Sequence, residues 1–97
     1  MSEARYVVVL TQCKAIHFGE RIDDGSRSKV ILRGVRQAVQ YTAASRGLVG
    51  LAALGPGEGS KITPSAPRIE IRNVAAILEV TDRAVAQWQS ARWEGEE

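Results

Sequence analysis

The chain has 97 residues, 44 % of them hydrophobic and 25 % charged, a globular composition well above that of disordered chains. That length fits one domain, expected over residues 1–93 with an acidic tail at 94–97, and a core that buries only about 60–65 % of the unfolded surface. Formal charge is +2, yet three of the eleven acidic residues, Glu94, Glu96 and Glu97, crowd the end. Without them thirteen basic residues face eight acidic ones, and ten of the thirteen are arginine, the side chain suited to bidentate capture of phosphate or carboxylate. A single cysteine, Cys13, excludes an intrachain disulfide and favours a reducing compartment. The short apolar run after Arg5 is too brief for a signal-peptide core or a membrane span. A soluble, cytoplasmic protein is expected, with no membrane association.

In chain order, Tyr6 to Thr11 (YVVVLT) is a β-branched run that predicts a strand buried on both faces. Ala15 to Asp23 predicts a second strand, with Ile16 and Phe18 inward, a switch of face and a bulge at Gly19. Asp23-Asp24-Gly25-Ser26 is a hairpin signal leading into a third strand over Lys29 to Val35. Arg36 to Tyr41 fits either strand or helix. Ser45 is placed to cap a short helix over Leu48 to Leu54, stopped by the Gly55-to-Ser60 run. Pro64 and Pro67 limit Lys61 to Ala66 to an edge strand. Arg68 to Asn73 alternates, with Ile69 and Ile71 inward, and Val74 to Val80 forms a further strand. Thr81 caps a final helix from Asp82 to about Trp93, whose apolar side carries Ala84, Val85, Trp88 and Ala91. The expected fold is α+β: a mainly antiparallel five- or six-stranded sheet, a short inserted helix, and a C-terminal helix packed on the sheet.

No catalytic or metal-binding constellation is readable. Cys13 and His17 are the only thiol and imidazole and fall short of the four ligands of a zinc site or the oriented pair of a nucleophile. Gly55-Pro56-Gly57-Glu58-Gly59-Ser60-Lys61 resembles a phosphate loop, but Lys61 is followed by Ile62, Thr63 and Pro64 instead of a hydroxyl residue opening a helix. No enzyme activity, cofactor or metal is expected. The arginines carry the functional expectation: Arg33 and Arg36 close one strand and Arg68 and Arg72 bracket another. With Lys61 and Tyr41 they form the candidate ligand-binding set, against the alternative of solvated arginines paired with Glu70 and Glu79. Trp88, Trp93 and His17 are candidates for an interface in a homo-oligomer. Few aromatics, none of them interleaved with arginine, argue against long nucleic acid as the ligand.

The order of motifs resembles an uncharacterised family of small phage and prophage proteins over residues 5–85. The resemblance rests on Tyr6-Val7-Val8-Val9, His17-Phe18-Gly19, Val30 to Leu32 leading to Arg36, Tyr41, Ala43-Ala44, Leu48, Leu51-Ala52, Gly55, Ile69, Ile71, Ile77 and Val80-Thr81. This chain departs from it at Gln37, Ala38, Val39 and Gln40, where the family carries more arginine and tryptophan. The resemblance implies a non-enzymatic phage accessory product that counters host defence. One mechanism is an oligomer that sequesters a nucleotide second messenger. Another is an inhibitor that docks on a defence protein such as a CRISPR effector through Trp93 and the acidic tail. A third is a structural or assembly part of the phage particle.

Overall fold

A computed structural model of the chain describes residues 5–23, 29–40 and 46–92. The β-branched segments become strands β1 (Tyr6–Thr11), β2 (Ile16–Arg21) and β3 (Val30–Gln40), an antiparallel meander in which each strand pairs with the next. The segment that fits strand or helix is strand: β3 runs on through Gln40, because Arg36, Gln37 and Ala38 each have a partner in β2. Helix α1 (Gly47–Ala53) follows, then β4 (Lys61–Ile62), β5 (Ala66–Ile71), β6 (Val74–Glu79) and helix α2 (Asp82–Ser90). The result is a six-stranded antiparallel sheet in the order β4-β3-β2-β1-β6, with β5 also pairing β3, and two helices: the α+β fold expected.

The expected bulge exists, but its extra residue lies on the opposite strand. Phe18 pairs with Arg36 and Glu20 with Arg33, so two steps along β2 match three along β3. Gly34, at φ +62°, takes the left-handed conformation that such a bulge demands of glycine. Gly19 faces it closely, and a Cβ there would stand 3.1 Å from both the Arg33 carbonyl oxygen and the Leu32 Cβ. The extra residue shifts the alternation of β3. Val30, Leu32 and Val35 all point to one face of the sheet, which leaves Arg33 and Arg36, three residues apart, together on the other.

Each face has its own core. Val8, Ile16, Phe18, Ala38 and Ile62 pack under Leu51, Ala52, Ala84 and Trp88 of the helices. Val7, Val9, Val30, Leu32, Val35 and Ile71 form the second cluster on the face away from them. That face is concave for a topological reason. β5 borders β3 and β6 borders β1, four strand spacings apart, or about 19 Å in a flat sheet. Yet only Arg72 and Asn73 join them, and three Cα steps reach at most about 11 Å. The sheet must curl, and the curl brings valines of β1 against those of β3 to close the second core.

Thr81 caps α2 as its sequence position implies, its hydroxyl oxygen accepting from the Ala84 N–H at 3.1 Å. The same hydroxyl donates to the Ala53 carbonyl at 2.8 Å, which ties the start of α2 to the end of α1. Two expectations about the helices are corrected. The residue flanking α1 is Arg46, at φ +65° with no side-chain cap bond; Ser45 lies outside the described residues. And α2 ends at Ser90, short of Trp93, because the chain turns extended at Ala91 and an arginine of the sheet takes up the helix's last carbonyls.

Candidate functional site

That arginine is Arg36. Its Nε donates to the Thr63 carbonyl at 2.8 Å, its Nη1 to the carbonyls of Trp88 and Gln89, and its Nη2 to that of Ala91 at 2.6 Å. The orphan carbonyls at a helix C-terminus carry partial negative charge, and a guanidinium fork matches several at once. Arg36 was a candidate for ligand binding; its donors are instead committed to holding α2 on the sheet. Burial lowers its pKa from the usual arginine value.

Beside this clamp lies a groove with a volume of ≈ 580 Å³. Tyr6 and Phe18 stand on the sheet side of it, Gln89, Ser90 and Ala91 on the helix side, and Arg33, Arg36, Arg92, Gly34, Ser65 and Glu20 along the remainder. Its aromatic side is the end of a ring stack. Trp88 and Phe18 lie parallel with centroids 4.9 Å apart, and Phe18 and Tyr6 stack at 5.5 Å and 8°. Trp88 is fully buried, and its indole N–H donates to the Leu51 carbonyl at 2.9 Å. This corrects its assignment to an interface: it has no surface to offer a second chain. Tyr6, half-buried at the outer end of the stack, lines the groove together with the buried Phe18.

The arginines are only partly gathered. Arg33 lines the groove, and Arg68 on β5 is its direct partner in the strand register. Like charges directly opposite in an antiparallel pair repel. Arg33 is offset by Glu20, whose Oε1 lies 2.9 Å from Nη2; both are on the surface, where such a pair contributes about 0–1 kcal/mol. Arg68 is exposed and makes no ion pair among the described residues. Arg72 stands apart, held by Glu70 at 2.7 Å; that hydrogen bond, and then the charge of Arg72, lower the Glu70 pKa. The expected pairing with Glu70 is thus seen for Arg72. Lys61, on the two-residue β4, lines neither groove, and Tyr41 and Trp93 lie outside the described residues.

Tyr6, Glu20 and Arg92 complete the site and were not singled out from the sequence. Tyr6 and Glu20 are register partners, a relation that only strand pairing reveals. Arg92 follows the end of α2, whose early stop no local signal announces. Another groove of ≈ 280 Å³ lies between the glycine-rich loop (Pro56, Gly57, Glu58, Ser60) and Gln87, and shares Ser90, Ala91 and Arg92 with the first.

The two nucleophile candidates are separated. Cys13 is exposed in the turn after β1, its pKa lowered chiefly by the Thr11 hydroxyl 3.1 Å away. His17 is half-buried on the concave side, between Val9 and Gln37 in the register. Its Nδ1 is buried without a hydrogen-bond partner among the described residues, and burial lowers its pKa from 6.5. Among the described residues no cluster of His, Cys, Asp and Glu could hold a metal ion, and no helix is long and apolar enough to cross a membrane.

A family model for a domain of unknown function (DUF6948) matches residues 4–88. The chain belongs to that family. The match takes in every strand and nearly all of α2, so the DUF6948 unit holds the curled sheet, Arg36 with its Thr63 and Trp88 acceptors, and the opposed pair Arg33 and Arg68, while the Gln89 and Ala91 carbonyls and Arg92 fall beyond it. No curated protein and no solved structure matches this DUF6948 chain.

Proposed function

We propose that this is a non-enzymatic binding protein that holds a phosphate-bearing nucleotide in the groove between the β2–β3 surface and the C-terminal end of α2. The observation that carries the reading is the opposition of Arg33, which lines the groove, and Arg68, its register partner on β5, which is not itself among the lining residues. An anion between two like-charged guanidinium groups relieves their repulsion. Each charge-assisted hydrogen bond to phosphate contributes about 1.5–3 kcal/mol, more than the exposed Glu20 pair it would displace. The end of a helix dipole would normally repel an anion here, but Arg36 neutralises it. Tyr6 ends a stack of three parallel rings that a nucleobase can extend.

In the setting that the resemblance to phage and prophage proteins implies, the ligand is a nucleotide second messenger of the host and the role is sequestration in the cytoplasm, away from a defence effector. The competing mechanism, docking on a defence protein, relies on Trp93 and the acidic tail. Removal of residues 93–97 therefore separates the two.

The test is thermal-shift and calorimetric titration with inorganic phosphate, AMP, ATP and cyclic di-AMP. Binding of a nucleotide should weaken at least tenfold in Arg33→Ala and in Arg68→Ala, and remain within twofold in Arg72→Ala. Equal loss in all three would reduce the effect to net charge, and no binding by the unmodified protein would reject the reading.

A further inference from the structure

The two edges of the sheet are built differently. On one side β3 is bordered by the two-residue β4 and by β5, which carries Pro67 within the strand and follows Pro64. Short strands and prolines are the usual means of blunting an edge against pairing with another chain. The opposite edge, β6, is six residues of Val-Ala-Ala-Ile-Leu-Glu with no proline and no basic residue, and among the described residues it pairs only with β1.

The Val80 N–H donates to the Tyr6 carbonyl at 3.3 Å. By antiparallel alternation Leu78 and Ala76 direct their backbone groups at β1, and Ala75, Ile77 and Glu79 direct theirs outward. Ile77 sits mid-edge and is 39 % exposed. Leu78 and Val80 pack with the helix-side core, so the Ile77 side chain lies on the other face.

We propose that two copies of the chain join β6 to β6, antiparallel, about a two-fold axis at Ile77, to give one continuous sheet across a dimer. The occupant of this edge is a second copy because the strand is self-complementary in that register. Ile77 meets its own counterpart, Ala76 meets Leu78, and Ala75 meets Glu79, so the one charged side chain of the strand faces an alanine and no like charges oppose. Each monomer contributes the outward backbone groups of three residues, and the exposed isoleucine is covered. Ile77 lines neither groove, so the interface does not rest on the nucleotide reading.

Sedimentation velocity of the full chain tests it, with Ile77→Lys as the disrupting variant and circular dichroism as the check on folding. A second variant, Ile77→Cys in a Cys13→Ser background, reports the register: residues directly opposite in a hydrogen-bonded pair have Cα atoms about 5.5 Å apart, within disulfide reach. The expected result is a twofold mass for the unmodified chain, a folded monomer for Ile77→Lys, and an interchain disulfide for Ile77→Cys under mild oxidant. A monomeric unmodified chain, a dimer that persists in Ile77→Lys, or failure of Ile77→Cys to cross-link would each overturn the proposal. Retention of the dimer in Arg33→Ala keeps this outcome separate from that of the groove.

Discussion

Arg36 and His17 show how differently a polar side chain behaves once the sheet has placed it. Arg36 spends its guanidinium on four backbone carbonyls of two segments, Thr63 before β5 and the end of α2. Removing it strands carbonyls that the clamp had satisfied, a loss of about 2–4 kcal/mol. Arg36→Ala should therefore lower the urea midpoint markedly, and Arg36→Lys should recover little, since an ammonium cannot span the fork. A melting curve for Arg36→Ala that overlays the parent would refute the clamp.

His17 makes the opposite case, an imidazole whose burial favours the neutral form and whose Nδ1 has no hydrogen-bond partner among the described residues. With its pKa below 6.5 in the fold, the unfolded chain takes up the proton first as the solution is acidified. Stability then declines as pH falls through 6.5 toward the folded value. The melting temperature should drop more between pH 7.5 and 5 for the parent than for His17→Gln; parallel curves would show that His17 does not report its burial.

At the scale of elements, the junction of α1 with α2 depends on one glycine. Gly55 follows the last turn of α1 at φ +88°, its N–H donating to the Gly50 carbonyl at 3.2 Å. A Cβ there would lie 2.4 Å from the Gln87 Cβ, so the helices could not keep their separation. Gly55→Ala should cost roughly 1–3 kcal/mol from left-handed strain alone, with a further loss from the clash, measurable by chemical denaturation; an unchanged midpoint would contradict this packing.

Much of the element order was legible from local pattern. The β-branched run of β1, the alternation around Ile69 and Ile71, the prolines confining β4, and Thr81 before α2 each carry their own physical signal. Arg36 to Tyr41 was not legible, because Val35, Val39 and Tyr41 satisfy either period until the neighbour β2 is in place, and among the described residues the segment is strand through Gln40. The bulge was assigned to Gly19 because a glycine inside a strand marks either the extra residue or the residue facing it. Only the register tells which, and here Gly34 is the extra one.

For the molecule as a whole, the candidate site is a product of register and curl. Arg33 and Arg68 are thirty-five positions apart and meet because β5 returns beside β3. Arg33 and Arg36 share a face only because Gly34 inserts a residue between them. An arginine count could point to anion binding, but could not separate the opposed pair from Arg72, which Glu70 holds, or from Arg36, which the helix end consumes. Trp88 carried two readings, on the apolar side of α2 packed on the sheet and at an interface, and its burial and its stack on Phe18 decide for the core.

The most direct measurement is native mass spectrometry of the purified protein, alone and after incubation with a nucleotide-rich extract of cells whose nucleotide-signalling defences are active. The account predicts a nucleotide-sized mass increment on the unmodified protein that is lost in both Arg33→Ala and Arg68→Ala and kept in Arg72→Ala. An unchanged mass, or an increment that survives loss of both opposed arginines, would contradict it.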